Sequence, residues 1–294
     1  MMTDTKNSYI RTIGSGESWR LHIDPLPTKF DNLFVESCRA AEEIYDMRQG
    51  KVHILYSGGI DSEHCLSIFT HLGMDVTPVI IKINPGYNDH DTEYAFKFCE
   101  SKNIKPLVID IDFLHFIDSG KFSEIFKEMK TSAFGRAPIA YAASLLDGTV
   151  ILGDGEPYIK LNETDNTWYM MEEEHDFSIY KYFQSQGIHG VPHYTRYTPE
   201  MFMAYMTDPR MIELANNQLP GKLSSHTSRP FIYNRHSGFD LQPRNKYNGF
   251  EHIHLFEEIQ KRKDIFFELK EYGLQYDGSH NIPYHELMKH YLPR

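Results

Sequence analysis

Between residues 52 and 152 the chain alternates short runs rich in Val and Ile with longer stretches whose apolar residues recur at helical spacing. Val52–Tyr56, Val76–Ile83, Leu107–Ile111 and Thr149–Leu152 read as strands. Asp61–Leu72, Asp89–Lys102 and most of 112–147 read as helices, with Gly73 stopping the first. Strands this short and apolar are buried on both faces, and strands separated by helices join a sheet in parallel. The expected fold is α/β: a parallel sheet of about five strands with helices on both faces, followed by a mostly helical C-terminal region. Three parts are expected: an N-terminal arm and helix over 1–49, the helix capped by Asp31; the sheet-forming part over 50–160; and a helical and loop region over 161–294. Within the last, residues 219–249 read as a long irregular stretch.

Composition narrows the function classes. A chain of 294 residues with 40% hydrophobic content buries a full core without disulfide or structural metal. Cys38, Cys65 and Cys99 form no CxxC pair, which suits a reducing compartment and gives no zinc signature. Cys65 reads as a core residue near the pocket rather than a persulfide carrier, and the histidines as surface or locally satisfied groups. The first residues lack an apolar segment and no apolar run is long enough to span a bilayer, so the chain reads as cytoplasmic, with no membrane partner. A net charge of -11 disfavours a broad nucleic-acid surface while leaving room for one nucleotide. Oligomers remain open.

The informative segment is Leu55-Tyr56-Ser57-Gly58-Gly59-Ile60-Asp61-Ser62, set between a strand and a helix. Gly58 and Gly59 let the backbone turn tightly and bring N–H groups to an anion; Ser57 and Ser62 add hydroxyls, and the helix start adds its partial positive charge. Asp61 suits such a site if a divalent cation bridges it to phosphate oxygens. As a loop carboxylate it is expected to contribute little to the core. No GK[ST] follows, so the loop is not of the Walker type.

Ser57-Gly58-Gly59-Ile60-Asp61-Ser62 resembles the signature of the PP-loop, or N-type ATP pyrophosphatase, superfamily, which includes asparagine synthetases, GMP and NAD synthetases, tRNA-modifying thiolases and lysidine synthetase. The resemblance implies an adenine nucleotide alpha hydrolase-like fold, with ATP and Mg2+ across the C-terminal strand ends and cleavage between the α- and β-phosphates. ATP is then expected on Ser57, Gly58, Gly59, Asp61, Ser62, Ile81 and Gly153, and the metal on Asp61 and Glu156.

Two further segments are similar to the asparagine synthetase branch. Gly153-Asp154-Gly155-Glu156 looks like its acidic turn, which makes Asp154 the acid that serves as a base there and Glu156 a metal ligand; Pro157 stands where that branch has a metal-binding Asp. Arg244-Asn245-Lys246-Tyr247-Asn248-Gly249-Phe250 resembles its R-x-K-x-G-F element with one extra residue, and Lys246 there would stabilise charge on the phosphates. Arg136, opening the helix before the acidic turn, is placed to clamp a phosphate or carboxylate. Arg229, Arg235 and Arg244 crowd one stretch of an acidic chain, which points to an anion-facing role.

The implied activity is an asparagine synthetase-like ligase or amidotransferase. It would adenylate a carboxylate or carbonyl of a small-molecule or nucleotide acceptor for attack by ammonia or an amine. The chain does not begin Met-Cys and no glutaminase-sized segment precedes the loop, so the ammonia is expected to be free or delivered by a partner. A thiolase-type or nucleobase-modifying PP-loop enzyme, and an inactive nucleotide-binding module, remain as alternatives.

Overall fold

The computed structural model describes residues 10–12, 19–21, 27–131, 133–171, 174–216, 225–244, 252–273 and 282–289. A short antiparallel pair, β1 (Ile10–Thr12) and β2 (Trp19–Leu21), precedes α1 (Leu33–Asp46). The cap of α1 is Asn32, whose Oδ1 accepts from the Val35 N–H at 3.2 Å. Asp31, the expected cap, instead pairs with Arg39 at 2.7 Å. Both residues suit a helix start, and register decides between them.

The alternating region then delivers β3 (Val52–Leu55), α2 (Ile60–His71), β4 (Val76–Asn84), α3 (Asp89–Ser101), β5 (Leu107–Asp112), α4 (Phe113–Asp118), α5 (Lys121–Met129), α6 (Arg136–Ser144) and β6 (Thr149–Leu152). The fifth strand of the sheet, β9 (Gly190–Val191), is only two residues long. It needs glycine, because a Cβ at Gly190 would lie 1.9 Å from the Val150 carbonyl oxygen. The sheet order is β5-β4-β3-β6-β9, parallel throughout. This is the expected α/β sheet. The chain builds outward from β3 to one side, then crosses to β6 on the other, so β3 and β6 flank the topological switch point where such sheets bind ligands.

Side chains alternate across the sheet into two cores. Val52, Ile54, Ile80 and Ile151 face one core with α1 and α2; Leu55, Val79, Ile83, Val150 and Leu152 face the other with α4, α5 and α6. Burying both faces explains the near-continuous apolar strands.

The C-terminal region is not only helical. β7 (Tyr158–Asn162) and β8 (Thr167–Met171) form a hairpin, and β10 (Ile282–Pro283) pairs with β8 as a third antiparallel strand. Helices α7 (Glu174–Ser185), α8 (Pro199–Met206), α9 (Pro209–Ala215), α10 (Ser225–Asn234), α11 (Glu257–Gln260), α12 (Lys263–Gly273) and α13 (Tyr284–Leu287) complete it. Helix α10 falls inside the stretch expected to be irregular. Pro230 within it removes an N–H and weakens the helical signal, while burial of Ile232 and Tyr233 in the first core holds it. Among the described residues no helix is long and apolar enough to cross a membrane.

Candidate nucleotide site

The loop after β3 needs its glycines. Gly58 adopts φ +77, and a Cβ there would lie 2.6 Å from the Ala95 amide nitrogen of α3. Gly59 starts α2 and offers no side-chain cap. The first N–H groups of a helix have no partner within it, so this end presents donors to an anion. The two hydroxyls gather at the same point. Ser57 Oγ lies 3.3 Å from Ser62 Oγ and accepts from the Gly59 N–H at 3.3 Å, while Ser62 Oγ donates to the Gly59 carbonyl at 3.0 Å.

The turn after β6 closes on this loop from the other side of the switch point. A Cβ at Gly153 would lie 2.5 Å from Ser62 Cα, so the two loops touch through backbone. A Cβ at Gly155, which adopts φ +81, would lie 2.6 Å from His193 Nδ1. The sequence-predicted residues Ser57, Gly58, Gly59, Asp61, Ser62, Gly153, Asp154 and Glu156 therefore meet at one edge of the sheet. Ile81 lies within β4, where its carbonyl accepts from Asn88 Nδ2 at 2.9 Å. Lys246 lies outside the described residues.

Asp154 is held by an arginine and faces a buried histidine. Arg136 Nη1 contacts Asp154 Oδ2, and His193 Nδ1 lies 3.7 Å from Asp154 Oδ1. Burial opposes ionisation, yet Arg136 and His193 together keep this carboxyl well below the usual carboxylate range. A carboxylate held so firmly is a weak proton acceptor and a strong positioning group. His193 is only 1% exposed, so it is no surface histidine. Its signal was hidden because its partner lies far away in sequence.

Asp61 is not a free loop carboxylate. It sits in the first turn of α2, where Arg229 Nη1 donates to its Oδ2 at 2.5 Å and the Tyr233 hydroxyl to its Oδ1 at 2.7 Å. Arg229 Nη2 also contacts Glu156 Oε1. Burial, then the neighbouring Glu156 charge, push the Asp61 carboxyl up to about 7 despite Arg229 and Tyr233.

All three arginines expected to face an anion pair with carboxylates. Besides Arg229, Arg244 donates to both oxygens of the buried Glu63, at 3.0 and 2.8 Å, and Arg235 grips Asp208 at 2.9 Å. Each buried carboxylate required a partner, and the sequence does not show which. Cys65 is fully buried and its thiol is raised well above its ordinary value by burial, so it is not a thiolate.

A divalent cation fits the Asp61–Glu156 pair. Two carboxylates share one guanidinium, so the pair offers more acceptor oxygens than Arg229 occupies. Magnesium needs only one or two carboxylates when phosphate oxygens complete its shell. Among the described residues no group of three or more His, Cys, Asp or Glu side chains is arranged as a self-sufficient metal centre.

No protein-family profile matches the chain, and no curated protein matches it. Among solved structures it is similar to the NH3-dependent NAD synthetase from Campylobacter jejuni subsp. jejuni NCTC 11168 in complex with the nitrate ion. The identity is 13%, the match covers 89% of this chain and 96% of that chain, and the TM-score is 0.34. A likeness at that score has no bearing on the chemistry, which rests on the residues themselves.

Proposed function

We propose that the chain is an ATP-dependent, AMP-forming ligase or amidotransferase of the PP-loop kind. It would activate a carboxylate or carbonyl of a small-molecule or nucleotide acceptor for attack by ammonia or an amine. One observation carries this reading: the uncapped start of α2, with Gly58, Gly59, Ser57 and Ser62 around it, meets the acidic turn of β6 by backbone contact at the switch point of a parallel sheet. Such an edge accepts a polyphosphate on one side and positions carboxylates against it on the other.

In this reading Ser57, Gly59 and Ser62 hold the phosphates, and Gly153 lets the β6 turn approach them. Residues 50–160 bind the nucleotide and 161–294 complete the pocket. Asp61 and Glu156 hold Mg2+, which when bound supplies neutralisation of phosphate charge. Arg136, fixed by Asp154, orients an anionic oxygen of the acceptor or of ATP. Lys246 stabilises charge that builds on the phosphates.

The test is product analysis with ATP, Mg2+, ammonia and a panel of carboxylate and carbonyl acceptors. AMP and pyrophosphate are expected. ADP and phosphate as main products would overturn the reading, and nucleotide binding without turnover on any acceptor would favour a binding module.

A further inference from the structure

The pairing of Arg229 has a consequence for how the site is loaded. One guanidinium forks between Asp61 and Glu156, with Nη1 on the first and Nη2 on the second. His226, whose ring stacks on Tyr158 at 5.4 Å, accepts through Nδ1 from the same Nη2. The Arg229 side chain is 13% exposed, so this cation is enclosed rather than solvated.

Two buried polar atoms at this place lack hydrogen-bond partners among the described residues: Arg229 Nε and the Tyr205 hydroxyl. Tyr205 is fully buried and feels the charges of Arg229, Glu156 and Asp61. Buried polar groups are almost always paired, so Arg229 Nε and the Tyr205 hydroxyl are donors that a group entering this place can take up. Pro230 directly follows Arg229 in α10 and removes a backbone donor from that turn.

We infer that Arg229 is the resident counter-cation of the Asp61–Glu156 pair, exchanged for a divalent ion when nucleotide enters and thereby freed to face the anionic substrate. This rests on the reading of the site as an ATP pocket. Two carboxylates take one cation of either kind. A guanidinium bound through both arms has to leave before the same oxygens can coordinate metal. The arrangement makes metal binding depend on nucleotide, because Mg2+ alone competes with a covalently tethered cation while phosphate oxygens add ligands that the guanidinium cannot supply. Once released, the fork of Arg229 suits a phosphate or carboxylate in two-pronged contact.

The experiment titrates Mn2+ alone into the full chain, without nucleotide, and follows free Mn2+ by electron paramagnetic resonance. Wild type, Arg229→Gln and Arg229→Lys are compared, then repeated with a non-hydrolysable ATP analogue. Without nucleotide, Arg229→Gln is expected to bind Mn2+ on the order of tenfold more tightly than wild type, with Arg229→Lys between them. The analogue should bring wild type to the affinity of the Gln variant. Equal Mn2+ affinity in all three proteins, or weaker binding in the Gln variant, overturns the exchange. If Arg229→Gln does not fold, the Lys variant decides, because one ammonium cannot span both carboxylates. The two readings fail separately. A nucleotide-dependent exchange without AMP formation removes the ligase and leaves the exchange. AMP formation with metal affinity indifferent to residue 229 does the reverse.

Discussion

Gly153 rests on Ser62 so closely that a methyl group added at its Cα would sit 2.5 Å from the serine Cα. The turn after β6 and the first turn of α2 are thus one unit, and neither can shift without the other. Gly153→Ala should cost roughly 1–3 kcal/mol through overpacking and weaken ATP binding in parallel. Gly58→Ala adds left-handed backbone strain to its clash with Ala95 and should be the worse of the two. Thermal melts and ATP titrations check both. Wild-type values for Gly153→Ala would separate the two loops.

Asp61 anchors α10 through Arg229 and Tyr233. Asp61→Ala leaves the Tyr233 hydroxyl without its acceptor and Arg229 with one carboxylate, which should cost about 1–3 kcal/mol along with turnover. Asp61→Asn keeps an acceptor for Tyr233 and should recover much of the stability without the turnover. Denaturant melts paired with rate assays separate the two effects. Recovery of turnover by Asn would remove the charge requirement.

Asp154 ties its pH response to Arg136. Its carboxyl is depressed in the folded chain, so the stabilisation is present above the ordinary carboxylate value and lost as pH falls through the folded one. Arg136→Ala removes the main opposition to burial and raises the folded value. The acid limb of both stability and turnover should then move to higher pH, and Arg136→Lys should move it less. A pH series of melts and rates is the check, and an unmoved acid limb in Arg136→Ala would deny the coupling.

His64 makes the chain sensitive to mild acid. Its ring stacks on Tyr233 at 4.2 Å, approaches Phe239 and lies 3.2 Å from Ser37 Oγ, and burial pushes its pKa down to about 3 from an ordinary 6.5. Between those values the unfolded chain holds a proton that the folded one refuses. Stability should therefore fall as pH drops below 6.5, by about 1.4 kcal/mol per pH unit for this one group. His53 and His189 are lowered by burial too and add to the slope. His64→Gln should reduce the slope by one proton, measured as melting free energy against pH. An unchanged slope would mean that His64 protonates in place.

Lys246, proposed to act on charge that develops during turnover, should when changed to Ala lower turnover by roughly a hundredfold or more with little change in ATP affinity. Lys222→Ala is the control. Equal, small losses in both would reduce Lys246 to a surface charge.

The alternating strands of the large sheet could be read from sequence because each carries its own signal: short, apolar and bounded by turns, as in Val52–Leu55 and Thr149–Leu152. The glycine-rich turn after β3 was legible for the same reason, since Gly58, Gly59, Ser57 and Ser62 are local to it. What escaped depends on distant partners. Gly190–Val191 is a strand only because β6 lies beside it. The β7–β8 hairpin carried a readable cue in its alternating Thr167–Met171 run and the turn residue Asn166 at φ +54, and acidic neighbours obscured it. The pairings of Arg229, Arg244 and His193 join positions remote in the chain, which composition cannot specify.

The antiparallel pair β7–β8 gains its third strand from Ile282–Pro283, and Tyr284 just beyond is fully buried in the same core as Val52 and Ile54, its hydroxyl on the Met206 carbonyl at 2.7 Å. The first strand of the large sheet and a helix far along the chain therefore complete a single interior. Tyr56 and Cys65, on either side of the glycine-rich turn, lie in that same interior. A backbone cut before Ile282 would therefore unseat a residue that backs the turn from the far side of the chain, and the sheet edge would loosen without being touched.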